Sequence, residues 1–236
     1  MKIANLRIRK EASKMNVQLF NGSPRNNWNT AQILNNAAEG AKSVGADTEI
    51  INLYDYTFTG CVSCFACKIK GSKTNGVCTY RDVIRPVLEK ARKSDVIILG
   101  SPVYYDYPTA QMRAFMERLM FPVDPYMINV ETKERIRFLD KTIPVGMIYT
   151  MNCPDFFMSE VNYPTILGAN ENALKRLFGY CETLYVCDTY QYMDYSKYDC
   201  NMFDEKHKAV VREKQFPVDC QKAFEMGKRL AELAEK

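Results

Sequence analysis

"DVIILG", Asp95 to Gly100, is the stretch on which the fold turns. It is an unbroken apolar run of β-branched and aliphatic residues between an aspartate and a glycine. A strand with one wet face alternates polar and apolar residues, whereas a strand covered on both faces does not. The run therefore predicts a central strand of a parallel sheet with helices on either side. Its surroundings read the same way. Upstream, "NVQLF" (Asn16 to Phe20) predicts a first strand, and after a polar turn Leu34, Ala37, Ala38, Ala41 and Val44 recur at helical spacing. "TEIINL" (Thr48 to Leu53) predicts a second strand. Asp82 is placed to cap a helix with Ile84, Val87, Leu88 and Ala91 on one face and Pro86 near its start. Downstream, Met112, Phe115, Met116 and Leu119 form another helical face, and "TIPVGMIYT" (Thr142 to Thr150) predicts a fourth strand. A helix around Ala173, Leu174, Leu177 and Phe178 leads to a fifth strand, "TLYVCD" (Thr183 to Asp188). A long helix follows, with Cys220, Ala223, Phe224, Gly227, Leu230, Ala231 and Ala234 on one stripe.

Strands alternating with helices define an α/β fold. Five parallel strands with helices on both faces suit the flavodoxin-like order 2-1-3-4-5. No composition shift marks a second domain, so residues 1–236 are read as one domain. It carries an N-terminal extension at 1–14 and elaborations at about 121–138 and 189–215. The last of these holds Tyr190, Tyr192, Tyr195 and Tyr198. It reads either as surface elaboration or oligomer contact, or as a wall of the substrate pocket.

Bulk composition narrows the function. The net charge is only +4, without long blocks of like charge, so nucleic acid is not an expected partner. No apolar run approaches the 18 or so residues of a membrane span, and the first residues lack the apolar segment of a signal peptide. A cytoplasmic protein with reduced thiols is expected. Of nine cysteines, Cys153, Cys181, Cys187, Cys200 and Cys220 read as small buried hydrophobes. His207 is the only histidine and reads as an exposed residue between Lys206 and Lys208, which removes Ser-His-Asp and Cys-His catalysis. Together with the loops described next, this fits a protein whose cofactor does the chemistry.

Ligands in such a sheet bind beyond the carboxyl ends of the strands, near the switch point. The first loop there, "NGSPRNNWNT", puts Ser23, Arg25, Asn27, Asn29 and Thr30 just ahead of a helix whose free N–H groups favour an anion. It is a phosphate cradle without a Walker glycine–lysine pattern. The second, "GSPVYYDYPTAQMRAFMERL", leaves the buried strand with two prolines and three tyrosines and can hold a flat heterocycle. Tyr105, Tyr107 and Phe156 are expected to wall a pocket beside it. The third, "TMNCPDFFM", is less distinctive.

Between the second strand and the next helix lies "GCVSCFACKIKGSKTNGVC". Cys61, Cys64 and Cys67 have the spacing of iron–sulfur ligands, and ten residues then intervene before Cys78. Four thiolates are the complement of a 4Fe–4S cluster. A longer closing loop does not forbid one, since a doubling of loop length costs only about 0.6 kcal/mol. Cys64 and Cys67 equally read as a C-x-x-C thiol pair, and the whole loop as a motif without its metal. Zinc sites more often come as two C-x2-C pairs.

Together, "NGSPRNNWNT", "GCVSCFAC…GVCTYRD", "SDVIILGSPVYYDYPTAQMRAFMER" and "LDKTIPVG" resemble, in that order, the NADPH-dependent FMN reductase family, and within it the iron–sulfur flavoprotein branch. The resemblance covers about residues 15 to 150. It implies non-covalent FMN, with Ser23, Arg25, Asn29, Thr30 and Asn27 at the phosphate and Pro102, Val103, Tyr104 and Tyr105 at the isoalloxazine. Cys61, Cys64, Cys67 and Cys78 would be the metal ligands. It also implies electrons from NAD(P)H, or from a ferredoxin-like carrier, to a quinone, nitro or azo compound, and a homodimer or homotetramer. The sequence departs from the family in the residues before Met15 and in the long gap to Cys78. Its third loop also lacks the glycines often found there and offers Thr150, Met151 and Asn152 in their place.

Overall fold

The computed structural model describes residues 14–71, 74 and 76–234, so the expected N-terminal arm, except Lys14, lies outside the described residues. The elements run β1 (Asn16–Asn21), α1 (Asn29–Ser43), β2 (Asp47–Asn52), α2 (Arg85–Lys93), β3 (Val96–Tyr104), β4 (Tyr107–Pro108) and α3 (Ala110–Met120), then β5 (Val145–Thr150), α4 (Tyr163–Phe178), β6 (Cys181–Val186), α5 (Glu205–Lys214) and α6 (Phe216–Ala234).

The main sheet has the order β2-β1-β3-β5-β6 and every one of these pairs is parallel, which is the flavodoxin-like order expected. β3 sits at its centre, and Val96 to Ser101 are all buried, as an apolar run covered on both sides requires. The count differs from expectation by one strand. β4 is a two-residue strand that pairs antiparallel with the end of β3, Tyr104 opposite Tyr107. The hairpin closes through Tyr105 and Asp106, both at positive φ (45° and 73°), the backbone of a tight two-residue turn.

The two faces of the sheet carry separate cores. α1 and α6 cover one, through Ile33, Leu34, Ala37, Met226 and Leu230 against Val17, Leu19, Ile98 and Ile148. α2, α3 and α4 cover the other, with Leu88, Phe115, Met116, Leu174 and Phe178 against Phe20, Leu99 and Met147. α1 and α6 cross at backbone distance. A Cβ placed on Gly40 would fall 1.9 Å from the Phe224 carbonyl oxygen, and one on Gly227 would fall 1.9 Å from that of Ala37. Only glycine admits this approach.

One capping expectation fails. α2 starts at Arg85, with Ile84 as its cap residue and no side-chain cap. The Asp82 carboxylate has been taken by Arg118 of α3, whose Nη2 donates to it at 2.9 Å. The buried guanidinium takes the carboxylate in preference to the helix end, because an unpaired charge inside the protein costs far more than a lost cap.

Candidate functional site

The carboxyl ends of β1, β3 and β5 open into a cavity of about 210 Å³, lined among others by Ser23, Arg25, Asn29, Thr30, Pro102, Val103, Tyr104, Thr150 and Asn152. Seven of the nine residues expected to bind a cofactor thus meet in one place. Asn27 and Tyr105 do not line it. Asn27 is exposed at the outer side of the first loop, where its carbonyl accepts from Gln32 at 3.1 Å. Tyr105 is 98% exposed at the tip of the β3–β4 hairpin.

The first loop is wound by its own side chains. The Ser23 N–H donates to Asn21 Oδ1 at 3.0 Å, and the Arg25 N–H donates to Ser23 Oγ at 3.1 Å. These short-range bonds are what Asn and Ser offer a turn. α1 then begins at Asn29 with Trp28 as its cap residue, no side-chain cap and no acidic residue in its first turn. Its first N–H groups, positive by the summed peptide dipoles, are thus left without a side-chain cap in a turn whose Asn29 and Thr30 line the cavity. Thr30 is tied instead to the end of β5 by a hydroxyl pair with Thr150 at 2.7 Å. Burial raises the Tyr104 phenol above its usual range, with Arg25 pulling the other way.

The far wall comes from the tyrosine-rich elaboration. The Tyr190 carbonyl accepts from Trp28 Nε1 (3.2 Å) and Asn29 Nδ2 (2.8 Å), and the Gln191 carbonyl accepts from Arg25 Nη1 (2.8 Å). Thr189 and Tyr190 line the cavity, while Tyr192 stacks on Tyr198 and meets Tyr195 edge-on. One buried atom is left over: Asn152 Oδ1 has no hydrogen-bond partner among the described residues. A buried orphan acceptor in a cavity wall is a place for a ligand donor.

These features fit an FMN. Its phosphate would meet the uncapped α1 terminus with Ser23, Arg25, Asn29 and Thr30. Its ring system would lie over Pro102 to Tyr104, within reach of the third loop.

The cysteine loop forms a separate hollow. Cys61, Cys64, Cys67 and Cys78 all line it, with Thr79, Tyr80, Phe121 and Arg118, around a space of only about 20 Å³. Cys64 is flanked by Ser63 and Phe65, both at positive φ (52° and 54°), a strain that non-glycine residues rarely carry. Arg118 lines the hollow, and Lys68 lies next to it, against the Phe121 ring. Lys68 Nζ donates to the carbonyls of Phe121 and Asp124 and lies 4.2 Å over the Phe121 ring. Arg118, 2% exposed, binds the carbonyls of Thr59 and Tyr80 as well as Asp82, while its Nε has no partner among the described residues. Burial raises the Cys67 thiol pKa, and Lys68 opposes that rise. The donor set fits a cluster in number and kind, but not in closeness. Among the described residues no three such side chains form a group that could hold a metal ion.

Sequence reading missed Arg118 and Lys208. Arg118 falls three residues after Phe115, on the buried stripe of α3, and an arginine there was the available signal. Lys208 is 1% exposed, not a surface flank of His207. It donates to the Asn152 carbonyl at 2.7 Å and pairs with Asp188. His207 is more than half exposed, as expected, yet its Nε2 also meets Asp188, at 2.6 Å.

Residues 15–142 match the model of the NADPH-dependent FMN reductase family. That is more than half of the chain, and the chain belongs to this family. It is 36% identical over 104 residues to an iron–sulfur flavoprotein of Methanocaldococcus jannaschii, a match covering 44% of this chain and 51% of that protein. It is 38% identical over 104 residues to an iron–sulfur flavoprotein of Archaeoglobus fulgidus, covering 44% of this chain and 48% of the other. The chain thus spans about half the length of the curated relatives it matches. Among solved structures, the NAD(P)H:quinone oxidoreductase from Methanothermobacter marburgensis aligns with a TM-score of 0.63 at 12% identity, over 92% of this chain and all of that one. An azoreductase from Bacillus anthracis aligns with a TM-score of 0.60 at 9% identity, over 91% of this chain and 99% of the other. At such identities the shared property is the fold. Among the described residues no helix is long and apolar enough to cross a membrane.

Proposed function

We propose that the chain is an FMN-dependent oxidoreductase that carries electrons from NAD(P)H to a small acceptor of the quinone, nitro or azo type. The observation that carries this reading is the uncapped, acid-free N-terminus of α1 opening into the cavity at the switch point. Bound FMN supplies hydride acceptance and return. The protein's own part is to hold and orient. Arg25 and the first-turn N–H groups anchor the phosphate, Ser23 and Thr30 shape its cradle, and the rigid Pro102 to Tyr104 segment presents the ring. Tyr107 and Phe156, 57% and 79% exposed, offer flat apolar surface for an acceptor. A second copy of the chain in a homodimer or homotetramer, in the cytoplasm, would cover the bare Tyr105. Purified protein should be yellow and oxidise NAD(P)H in the presence of a quinone. A colourless protein that ignores added FMN would overturn the reading.

A second reading has its own observation, the four cysteines around one hollow that the buried Arg118 also lines. On it the chain is an electron carrier holding a 4Fe–4S cluster and taking electrons from a ferredoxin-like donor. It predicts poor NAD(P)H turnover and fast oxidation of reduced ferredoxin, the reverse of the first reading.

A further inference from the structure

α5 lies outside the five-strand frame, within the 189–215 elaboration, yet two of its cations bond residues that line the cofactor cavity. Lys208 and Arg212 are one helical turn apart and so share a face. Lys208 reaches the third loop at Asn152. Arg212 reaches the first turn of α1, where its Nη1 donates to Asn29 Oδ1 at 3.2 Å and its Nη2 to Gln32 Oε1 at 2.5 Å. Its guanidinium also stacks 3.9 Å over Phe216.

This placement is costly as it stands. Burial disfavours the charge of Arg212. Among the described residues neither Arg212 nor Arg25 forms an ion pair with a carboxylate, and the first turn of α1 contains no acid. A cation beside the positive end of a helix dipole is repelled by it. Arg212 bonds the first turn of this uncapped helix through Asn29 and Gln32, Arg25 lies in the loop before it, and an anion bound at the terminus would be attracted by both. The Asn29 amide cannot supply one, and it is held at both ends, its oxygen by Arg212 and its nitrogen by the Tyr190 carbonyl. With the Asn29 side chain so engaged, the backbone N–H groups of the first turn and Arg25 are the donors on which the phosphate reading rests.

We infer that Arg212 is a positioning residue for the cofactor phosphate. It fixes the first turn of α1 through Asn29 and adds charge from behind, and Lys208 on the same helix face serves the other end of the site. This rests on the FMN reading above. It assigns a binding role to α5, an element beyond the nucleotide-binding loops.

The experiment compares FMN with riboflavin, which lacks the phosphate, binding to flavin-free protein followed by fluorescence. Arg212→Met keeps the stem over Phe216 and removes the fork. It should weaken FMN by about tenfold, the scale of a charge-assisted contact at a helix end, and leave riboflavin unchanged. Arg212→Lys should recover part of the loss. The double variant Lys208→Met with Asp188→Asn, which avoids stranding a buried carboxylate, should weaken both ligands alike. Equal losses of FMN and riboflavin in Arg212→Met, or no loss of either, would overturn the inference while the FMN reading stands. A wild-type protein that binds neither flavin would overturn both.

Discussion

The Oγ1 atoms of Thr30 and Thr150 lie 2.7 Å apart in the protein interior, joining the first turn of α1 to the last residue of β5. They bring together two of the three loops that border the cavity. Thr150→Val keeps the shape and strands the Thr30 hydroxyl. It should cost about 1–3 kcal/mol in urea unfolding, whereas Thr30→Val with Thr150→Val together should cost less than either alone. An additive pair would show that the two hydroxyls do not interact.

Arg25 holds the Gln191 carbonyl and sits 5.2 Å over the Trp28 ring, all at the exposed lip of the cavity. Arg25→Ala should lower FMN affinity by about tenfold or more and leave the thermal midpoint of the flavin-free protein within about a degree. Full flavin retention through gel filtration would count against a phosphate role.

The cysteine loop gives a prediction that needs no catalytic assay. If all four thiols close on a cluster, anaerobic preparation should yield brown protein with close to four irons per chain, as its composition requires. Cys78→Ser should abolish the brown colour and leave the yellow flavin spectrum. Iron-free yellow wild-type protein from the same preparation would exclude the cluster and leave the hollow as a thiol site.

Gly227→Ala drives a methyl group into the Ala37 carbonyl. The helices must separate, and a loss of about 3 kcal/mol or more is expected, at or above the upper end of ordinary overpacking. Gly45, which has open space around the position of a Cβ but a φ of 93°, offers a contrast through strain alone. Calorimetry of the two alanine variants separates crowding from strain.

Asp95 caps the start of the sheet by accepting from the Asn16 N–H at 2.9 Å and pairing with Lys141. Its burial raises the pKa, but Lys141 and the Asn16 N–H outweigh that, so the carboxyl titrates below the ordinary aspartate range. A depressed folded pKa stabilises the protein above the unfolded value of about 3.9, and that contribution is lost as the pH falls further. The stability gap between wild type and Asp95→Asn should therefore be present at pH 6 and shrink toward pH 3. A gap that does not depend on pH would refute the assignment.

The sequence disclosed what depends on side-chain pattern. The run from Asp95 to Gly100 placed the central strand, and the polar turn from Ser23 to Thr30 placed one wall of the cavity. It hid what depends on backbone or on distant partners. β4 requires Tyr105 and Asp106 at positive φ, and no glycine there announced it. The Tyr190 and Gln191 carbonyls bind the first loop through atoms that every residue possesses. Asp82 had the composition of a helix cap, but a charge on another helix decided its partner.

The glycine crossing of α1 and α6 also sets an order of events. α1 and β1 are made early, but the helix that closes their face of the sheet is separated from them by most of the chain. Until α6 docks, the side of α1 that it covers, with Ala37 and Ala41, and the neighbouring part of the sheet under Met226 and Leu230 stay open to water. Contacts between distant segments form slowly, because the intervening chain must first be ordered. Gly40 and Gly227 therefore act late in folding. Their substitution should spare early collapse and accelerate unfolding, leaving a sheet finished on one face and sticky on the other.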